Sequence, residues 1–324
     1  MKNILRLGTV LVASGLVVGA VTPVRAASPV ELRVVSAWPE SRFYSKGIFV
    51  WMDTVKEMLG KRVKIVYKGG PEVIPAFKQV EGLKNGAIDV VFTTPAYYAT
   101  TVPQIIVLGF TKYSSKELRA NGGIDYMNQI LKKRANARLI GAFWNYASAT
   151  FMTKKVTTMA DLKGKKIRTG SFIPFLTALG ASPVRMPLSS VYTALDRGVV
   201  DGITSPEVIA NKSIRKKLKY KVKPTYYDIS FNVLINDGVW KKFPKDIQSG
   251  LLRAGIAAEI KINKYVAEKV TAANAEAKAE GMKDVVLPEG DKYVKLAYDS
   301  AWKFVHKRLP KDAPKLETYF RKTK

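Results

Sequence analysis

The sequence predicts an α/β protein of two lobes joined by one long helix. Three observations carry that prediction. Apolar strands alternate with amphipathic helices over the first third of the chain. One helix-to-strand junction recurs later in the same frame. A stretch near the C-terminal side holds helical periodicity with no internal proline from Pro244 to Glu280.

The first strand is "ELRVVS", 31 to 36, which runs into Ala37-Trp38-Pro39. A helix follows from about Ser45 to Leu59, because Ile48, Trp51, Met52, Val55 and Leu59 share one face. A second strand alternates Val63, Ile65 and Tyr67 and is closed by Gly69 and Gly70. "GAIDVVFTTP" then reads as a buried parallel strand, since it is apolar on both faces. Strands and helices in alternation imply a sheet covered on both sides.

The recurring junction is "VEGLKNGAIDVVFT" at 80 to 93 and "VYTALDRGVVDGIT" at 191 to 204. Each copy ends a helix at a leucine, Leu83 or Leu195, followed by Gly86 or Gly198 in a place suited to a helix C-cap. Each then opens an apolar strand at Asp89 or Asp201. Two copies suggest two lobes of similar build.

In the long helix Ile247, Leu251, Leu252, Ile256, Ile260, Val266 and Val270 recur at helical spacing. Roughly 35 residues of helix would span about 50 Å at ~1.5 Å per residue, more than the width of one lobe. Such a helix must bridge both lobes or break, with Gly255 as the weak point.

The chain's 324 residues suffice for two cores, and 47% apolar against 25% charged residues is ordinary for a globular protein. The absence of cysteine removes disulfides, thiolate metal sites and a cysteine nucleophile. The single histidine, His306, lies between basic residues and is a surface or half-buried residue rather than a general base. Neither GxxxxGK[ST] nor GxGxxG occurs, and no carboxylate–histidine cluster has metal-ligand spacing. No catalytic residue, metal or cofactor is expected.

Residues 1 to 26 order a positive start, an apolar run from Leu7 to Val21, and the small-x-small site Val24-Arg25-Ala26, which reads as a secretory signal peptide. Its removal takes away Lys2, Arg6 and Arg25 and no acid, so the net charge falls from +28 to +25. The densest basic run, "NKSIRKKLKYKVK" at 211 to 223, reads as a solvated face and not as a nucleic-acid site, and export argues the same way. The charge is suited to attracting small anions.

One cation stands apart. Arg168 ends the short strand Lys166-Ile167-Arg168-Thr169, ahead of a helix expected to start at Ser171. Ligands of open α/β sheets bind at strand ends, and a helix N-terminus adds positive potential there. An arginine fork matches a carboxylate. From the residues alone Arg168 is either that ligand-facing cation or half of a surface ion pair.

The segment "MADLKGKKIRTGSFIPFLTALGASPVRMPLSSVYTALDRGVVDGITSP", 159 to 206, resembles the signature region of substrate-binding proteins of TRAP (tripartite ATP-independent periplasmic) transporters, of the C4-dicarboxylate-binding (DctP-like) type. Asp161-Leu162-Lys163-Gly164, Ile167-Arg168, Leu179-Gly180-Ala181, Pro183, Val191-Tyr192, Ala194-Leu195 and Gly198 to Gly202 carry the resemblance. It implies a two-lobed periplasmic binding protein fold with a hinge and a lobe-spanning helix. The implied division is a signal peptide at 1–27, lobe I at 28–146 plus 234–272, and lobe II at 147–233 plus 273–324. It also implies a small organic-acid ligand held at Arg168, delivery to the small and large permease subunits, no nucleic-acid partner and a monomer.

The departures bear on the ligand. Where dicarboxylate and sialic-acid binders often carry a second arginine, this chain has Ser148. Ser190 stands for the usual glutamate before Val191-Tyr192, and Thr204-Ser205-Pro206 for a frequent E-N-P. The pocket has lost charge and gained aromatics: Trp38, Tyr97, Tyr98, Trp144, Tyr146 and Phe172. The expected ligand-binding set is Arg168, Trp38, Tyr97, Trp144, Ser148, Phe172, Leu188 and Ser205. The expected ligand is a monocarboxylate with an apolar or aromatic body. A small 2-oxo acid, a neutral solute, or service to a sensor kinase are the alternatives.

Overall fold

The computed structural model describes residues 29–170, 172–206 and 212–322, with the side chains of 144–146 outside that description. The expected signal peptide and the helix start at Ser171 therefore lie outside the described residues.

Nine strands form one mixed sheet among the described residues. They are β1 (Val30–Ser36), β2 (Val63–Gly69), β3 (Val90–Thr93), β4 (Ala137–Met152), β5 (Lys166–Thr169), β6 (Ser182–Arg185), β7 (Gly202–Pro206), β8 (Tyr220–Asn236) and β9 (Lys283–Val286). The order is β2-β1-β3-β8-β4-β7-β5-β6, with β9 beside β8. The outer strands on each side are parallel, β1 with β2 and β3, and β5 with β6 and β7. Between these blocks β4 and β8 run antiparallel to each other, β8 antiparallel to β3 and β4 to β7, while the short β9 is parallel to β8. The expected parallel strand at 86–95 is thus shorter, and is parallel to β1 but antiparallel to β8.

Strands of 16 and 17 residues are long enough, at ~3.3 Å each, to cross both halves of the molecule. Their pairing shifts register at Leu139/Gly141, Trp144/Tyr146, Ala147/Ser148 and Ser148/Thr150. Each shift breaks the ladder and lets the pair bend.

The helices are α1 (Lys46–Leu59), α2 (Gln79–Lys84), α3 (Pro95–Tyr98), α4 (Ser115–Ala120), α5 (Gly123–Ala135), α6 (Ile173–Ala178), α7 (Val191–Asp196), α8 (Lys212–Lys217), α9 (Asp237–Lys241), α10 (Lys245–Ala279), α11 (Gly290–Arg308) and α12 (Ala313–Phe320). The long helix α10 is continuous over 35 residues. Its first half packs with Ile247, Leu251, Ala254, Ala258, Ile262 and Val266 in the core around β1, β3 and α1. Its far end is tied to the other half through Arg215 of α8, which donates to Glu276 at 2.9 Å and to Glu280 at 2.7 Å. It therefore bridges the lobes.

Three expectations are corrected here. Gly255 is no weak point: a Cβ there would lie 2.0 Å from the Ile140 carbonyl oxygen, so the glycine lets α10 rest against β4. Leu252, Ile256 and Ile260, placed on the buried stripe by their spacing, are exposed, because the inward face runs through Ala254, Gly255 and Ala258 instead. Small residues at the helix–sheet contact leave little side chain for a hydrophobicity pattern to detect. In the basic run at 211–223 Ile214 and Leu218 form the apolar face their spacing suggests, but the polar face is not wholly solvated, since Arg215 is buried in its two ion pairs.

Candidate functional site

Strand β5 lies between β7 and β6, so Ile167 and Thr169 are sealed in the sheet. Arg168 is 5% exposed, and three of its N–H groups are fixed by backbone. Nε and Nη2 donate to the Met186 carbonyl at 3.0 and 2.7 Å, and Nη1 donates to the Thr204 carbonyl at 3.2 Å. A guanidinium has five donors, so one N–H on each Nη lies beyond these backbone contacts, and the Tyr97 hydroxyl is a hydrogen-bonding neighbour of the group. No carboxylate of the described residues lies within ion-pair distance. Burial pushes the Arg168 pKa down, and the Tyr97 and Tyr44 hydroxyls oppose that shift. Arginine keeps its charge regardless. A buried cation held, among the described residues, by carbonyl dipoles and neutral phenols is an incomplete ion pair, and an anion would complete it.

The space in front of it is a cavity of about 60 Å³. Its walls include Trp38, Tyr44, Tyr97, Phe172, Leu188, Ile229 and Phe231, and Arg168 is the one charged residue among its described lining. Trp38 organises the rings, with centroids 5.8 Å from Tyr44, 5.8 Å from Tyr97 and 5.1 Å from Phe231. It is itself held by Ser36, whose Oγ accepts from the Trp38 amide at 3.2 Å, and by Ser45, whose Oγ donates to the Trp38 carbonyl at 3.1 Å. The hydroxyls of Thr94, Thr204, Ser205 and Ser230 supply the polar wall.

Two of those polar groups are prepared as donors. Tyr98 donates to Asn232 Oδ1 at 2.7 Å, and Asn232 Nδ2 donates to Ser230 Oγ at 2.7 Å. With that hydrogen bond accepted, the Ser230 hydroxyl can act as a donor in its turn. Burial pushes the Tyr44 phenol up to about 12, while its hydrogen bond with Ser205 and the nearby Arg168 and Arg42 charges oppose that rise. Tyr44 is therefore an un-ionised donor at any physiological pH.

Of the residues expected from sequence, Arg168, Trp38, Tyr97, Phe172, Leu188 and Ser205 come together around this one cavity. Ser148 is fully buried outside the lining, and among the described residues its Oγ has no hydrogen-bond partner. It is paired on β4 with Pro206 and Tyr226, and Pro206 does line the cavity. Trp144 pairs through its backbone with Ser230, and its side chain, like that of Tyr146, lies outside the described residues. Tyr98 turns into the core to hold Asn232. The helix that follows Arg168, α6, starts at Ile173 and is six residues long, so its dipole is short. Sequence reasoning missed Tyr44, Thr94, Ser230 and Phe231. The signal for Ser230 was weak, a lone serine between Ile229 and Phe231 in an apolar strand.

The cavity lies between the two halves of the molecule, and contacts cross it. The Leu188 amide donates to the Tyr97 hydroxyl at 3.3 Å, and Arg185 Nη2 donates to the Ala96 carbonyl at 2.9 Å.

The family described as bacterial extracellular solute-binding protein, family 7, matches residues 34–307. The chain belongs to this family. The monocarboxylate 2-oxoacid-binding periplasmic protein all3028 of Nostoc is 24% identical over 255 residues, 73% of this chain and 68% of that protein. The C4-dicarboxylate-binding periplasmic protein DctP of Rhodobacter capsulatus is 26% identical over 215 residues, 64% of this chain and 61% of that one. The solved structure of a TRAP periplasmic solute binding protein from Desulfovibrio salexigens, with bound orotic acid, superposes with a TM-score of 0.80 at 21% identity, over 89% of this chain and 98% of that one. The two-lobed α/β fold is thereby shared. Proteins of this family bind extracellular solutes, and the chain is a solute-binding protein of that family and not an enzyme.

Proposed function

We propose that this family 7 receptor captures an organic acid bearing one carboxylate on an apolar or aromatic body, and hands it to the small and large membrane subunits of a TRAP permease. The observation that carries the proposal is Arg168, a buried arginine with an N–H on each Nη beyond its backbone contacts and, among the described residues, no acidic partner, facing a ring-walled cavity. A carboxylate can take those two N–H groups two-point, and the Tyr44 and Ser230 hydroxyls can donate to it. The rest of the wall is apolar, so a second carboxylate held in the same chamber would lose water and gain no cation. Ser148 in place of a second arginine agrees with this, since it brings no cation to that position. The name of the Nostoc relative, a monocarboxylate binder, supports the same choice.

In this reading residues 1–27 are a removed export signal. The lobes are 28–146 plus 234–272 and 147–233 plus 273–324. Bending of β4 and β8 at their register shifts opens the cleft, as a hinge between rigid bodies. The excess of Lys and Arg speeds the arrival of anions.

Calorimetry with butanoate, benzoate, 2-oxobutanoate and succinate tests the proposal. The monoacids should bind more tightly than succinate, and Arg168→Ala should lose them. A preference for succinate, or retained affinity in the variant, would overturn it.

A further inference from the structure

Tyr44, Leu188 and Ser205 line the inner cavity on one side and a second compartment of about 320 Å³ on the other. Its floor is apolar, made by the buried Ile203 and Ile214. One flank is the pair of stacked rings Phe43 and Tyr265, with centroids 5.7 Å apart. Its rim carries two cations, Arg42 and Lys269. Among the described residues neither has a carboxylate partner within ion-pair distance. The Lys269 ammonium rests 5.7 Å from the Tyr265 ring centre. The Arg42 charge is felt at the Tyr44 hydroxyl in the partition.

We propose that this outer compartment is a second anion subsite, which receives the distal anionic group of an elongated organic acid whose first carboxylate is held at Arg168. The inference rests on the Arg168 reading above and extends it. An inner chamber with one cation accepts one carboxylate and rejects a second that stays inside it. An outer chamber with an apolar floor and a cationic rim accepts a hydrocarbon or ring body that ends in a negative group. Cations on the rim keep part of their hydration, so each adds less than Arg168 does, yet together they suffice for selection by length. Among diacids the short members should be disfavoured, and those long enough to pass the Tyr44–Leu188–Ser205 partition should be favoured.

The test is calorimetry with matched pairs: succinate with butanoate, adipate with hexanoate, and suberate with octanoate. Wild type should prefer butanoate within the shortest pair and suberate within the longest. In the double variant Arg42→Gln/Lys269→Gln, suberate should weaken by about ten- to hundredfold while butanoate stays within about threefold, and raised salt should reduce the suberate preference. Arg168→Ala should weaken both members of every pair. Absence of a crossover with length in the wild type would overturn the outer subsite, as would equal losses for suberate and octanoate in the double variant. If Arg168→Ala left all six acids unaffected, the inner reading would fail instead, so the two failures are distinguishable.

Discussion

The Arg185 guanidinium sits 4.6 Å from the centre of the Phe77 ring and donates to the Ala96 carbonyl at 2.9 Å. Arg185 ends β6, whereas Phe77 and Ala96 belong to the opposite half of the molecule. Phe77 in turn meets Tyr97 edge-on at 4.9 Å, and Tyr97 stands beside Arg168. The arginine clasps the cleft from outside the cavity.

A clasp of this kind stabilises the closed form without touching ligand. A cation–π contact and a charge-assisted hydrogen bond at an exposed position together contribute about 1–2 kcal/mol. Arg185→Gln should therefore speed ligand release by about five- to thirtyfold, by a similar factor for every ligand, with little change in melting temperature. Stopped-flow displacement measures this. A loss confined to one ligand would mark Arg185 as a ligand contact instead.

Arg168→Ala should leave the bound carboxylate buried and unpaired, at a cost of about 3–5 kcal/mol. Affinity for a monocarboxylate should fall by roughly two to three orders of magnitude or more. Arg168→Lys should recover only part, because an ammonium cannot bridge Met186, Thr204 and a carboxylate at once. Titration calorimetry on the three proteins decides it, and full rescue by lysine would refute the two-point contact.

Gly255→Ala should destabilise the fold, since its methyl carbon would stand 2.0 Å from the Ile140 carbonyl oxygen and the helix would have to lift from β4. Overpacking of this kind costs about 1–3 kcal/mol or more. Denaturant midpoints against wild type give the number. Ala254→Ser on the same turn is a useful control for a buried change without the backbone clash.

Binding should not depend on pH between about 6 and 9, because the Arg168 cation and the un-ionised Tyr44 phenol both persist there. Tyr44 has a folded-state pKa of about 12, raised by burial above its ordinary value of about 10. The stability linked to its protonated form is full below pH ~10 and is lost as pH rises from there through about 12. Alkaline unfolding of wild type and Tyr44→Phe should show the difference in that range, with Tyr44→Phe less sensitive. Identical alkaline curves would contradict it.

The sequence by itself determined what neighbours along the chain decide. Apolar alternation placed β1 and β2, helical spacing placed α1 and the full length of α10, and the strand ending at Arg168 was legible because Lys166-Ile167-Arg168-Thr169 is bounded by turn residues. These follow from the periods of two and of 3.6, which are local. Only the tertiary structure decided which face of α10 is buried, because glycine and alanine at the contact leave no apolar signal while Leu252, Ile256 and Ile260 do. Only it brought Trp38, Tyr97, Arg168 and Phe231 to one cavity, from strand ends and loops far apart in the chain. It also joined Tyr98, Asn232 and Ser230 into a relay that ends on the Ser230 hydroxyl. Sheet order sets those meetings. That order depends on how β4 and β8 pair across both halves, a long-range choice that no short window of sequence encodes.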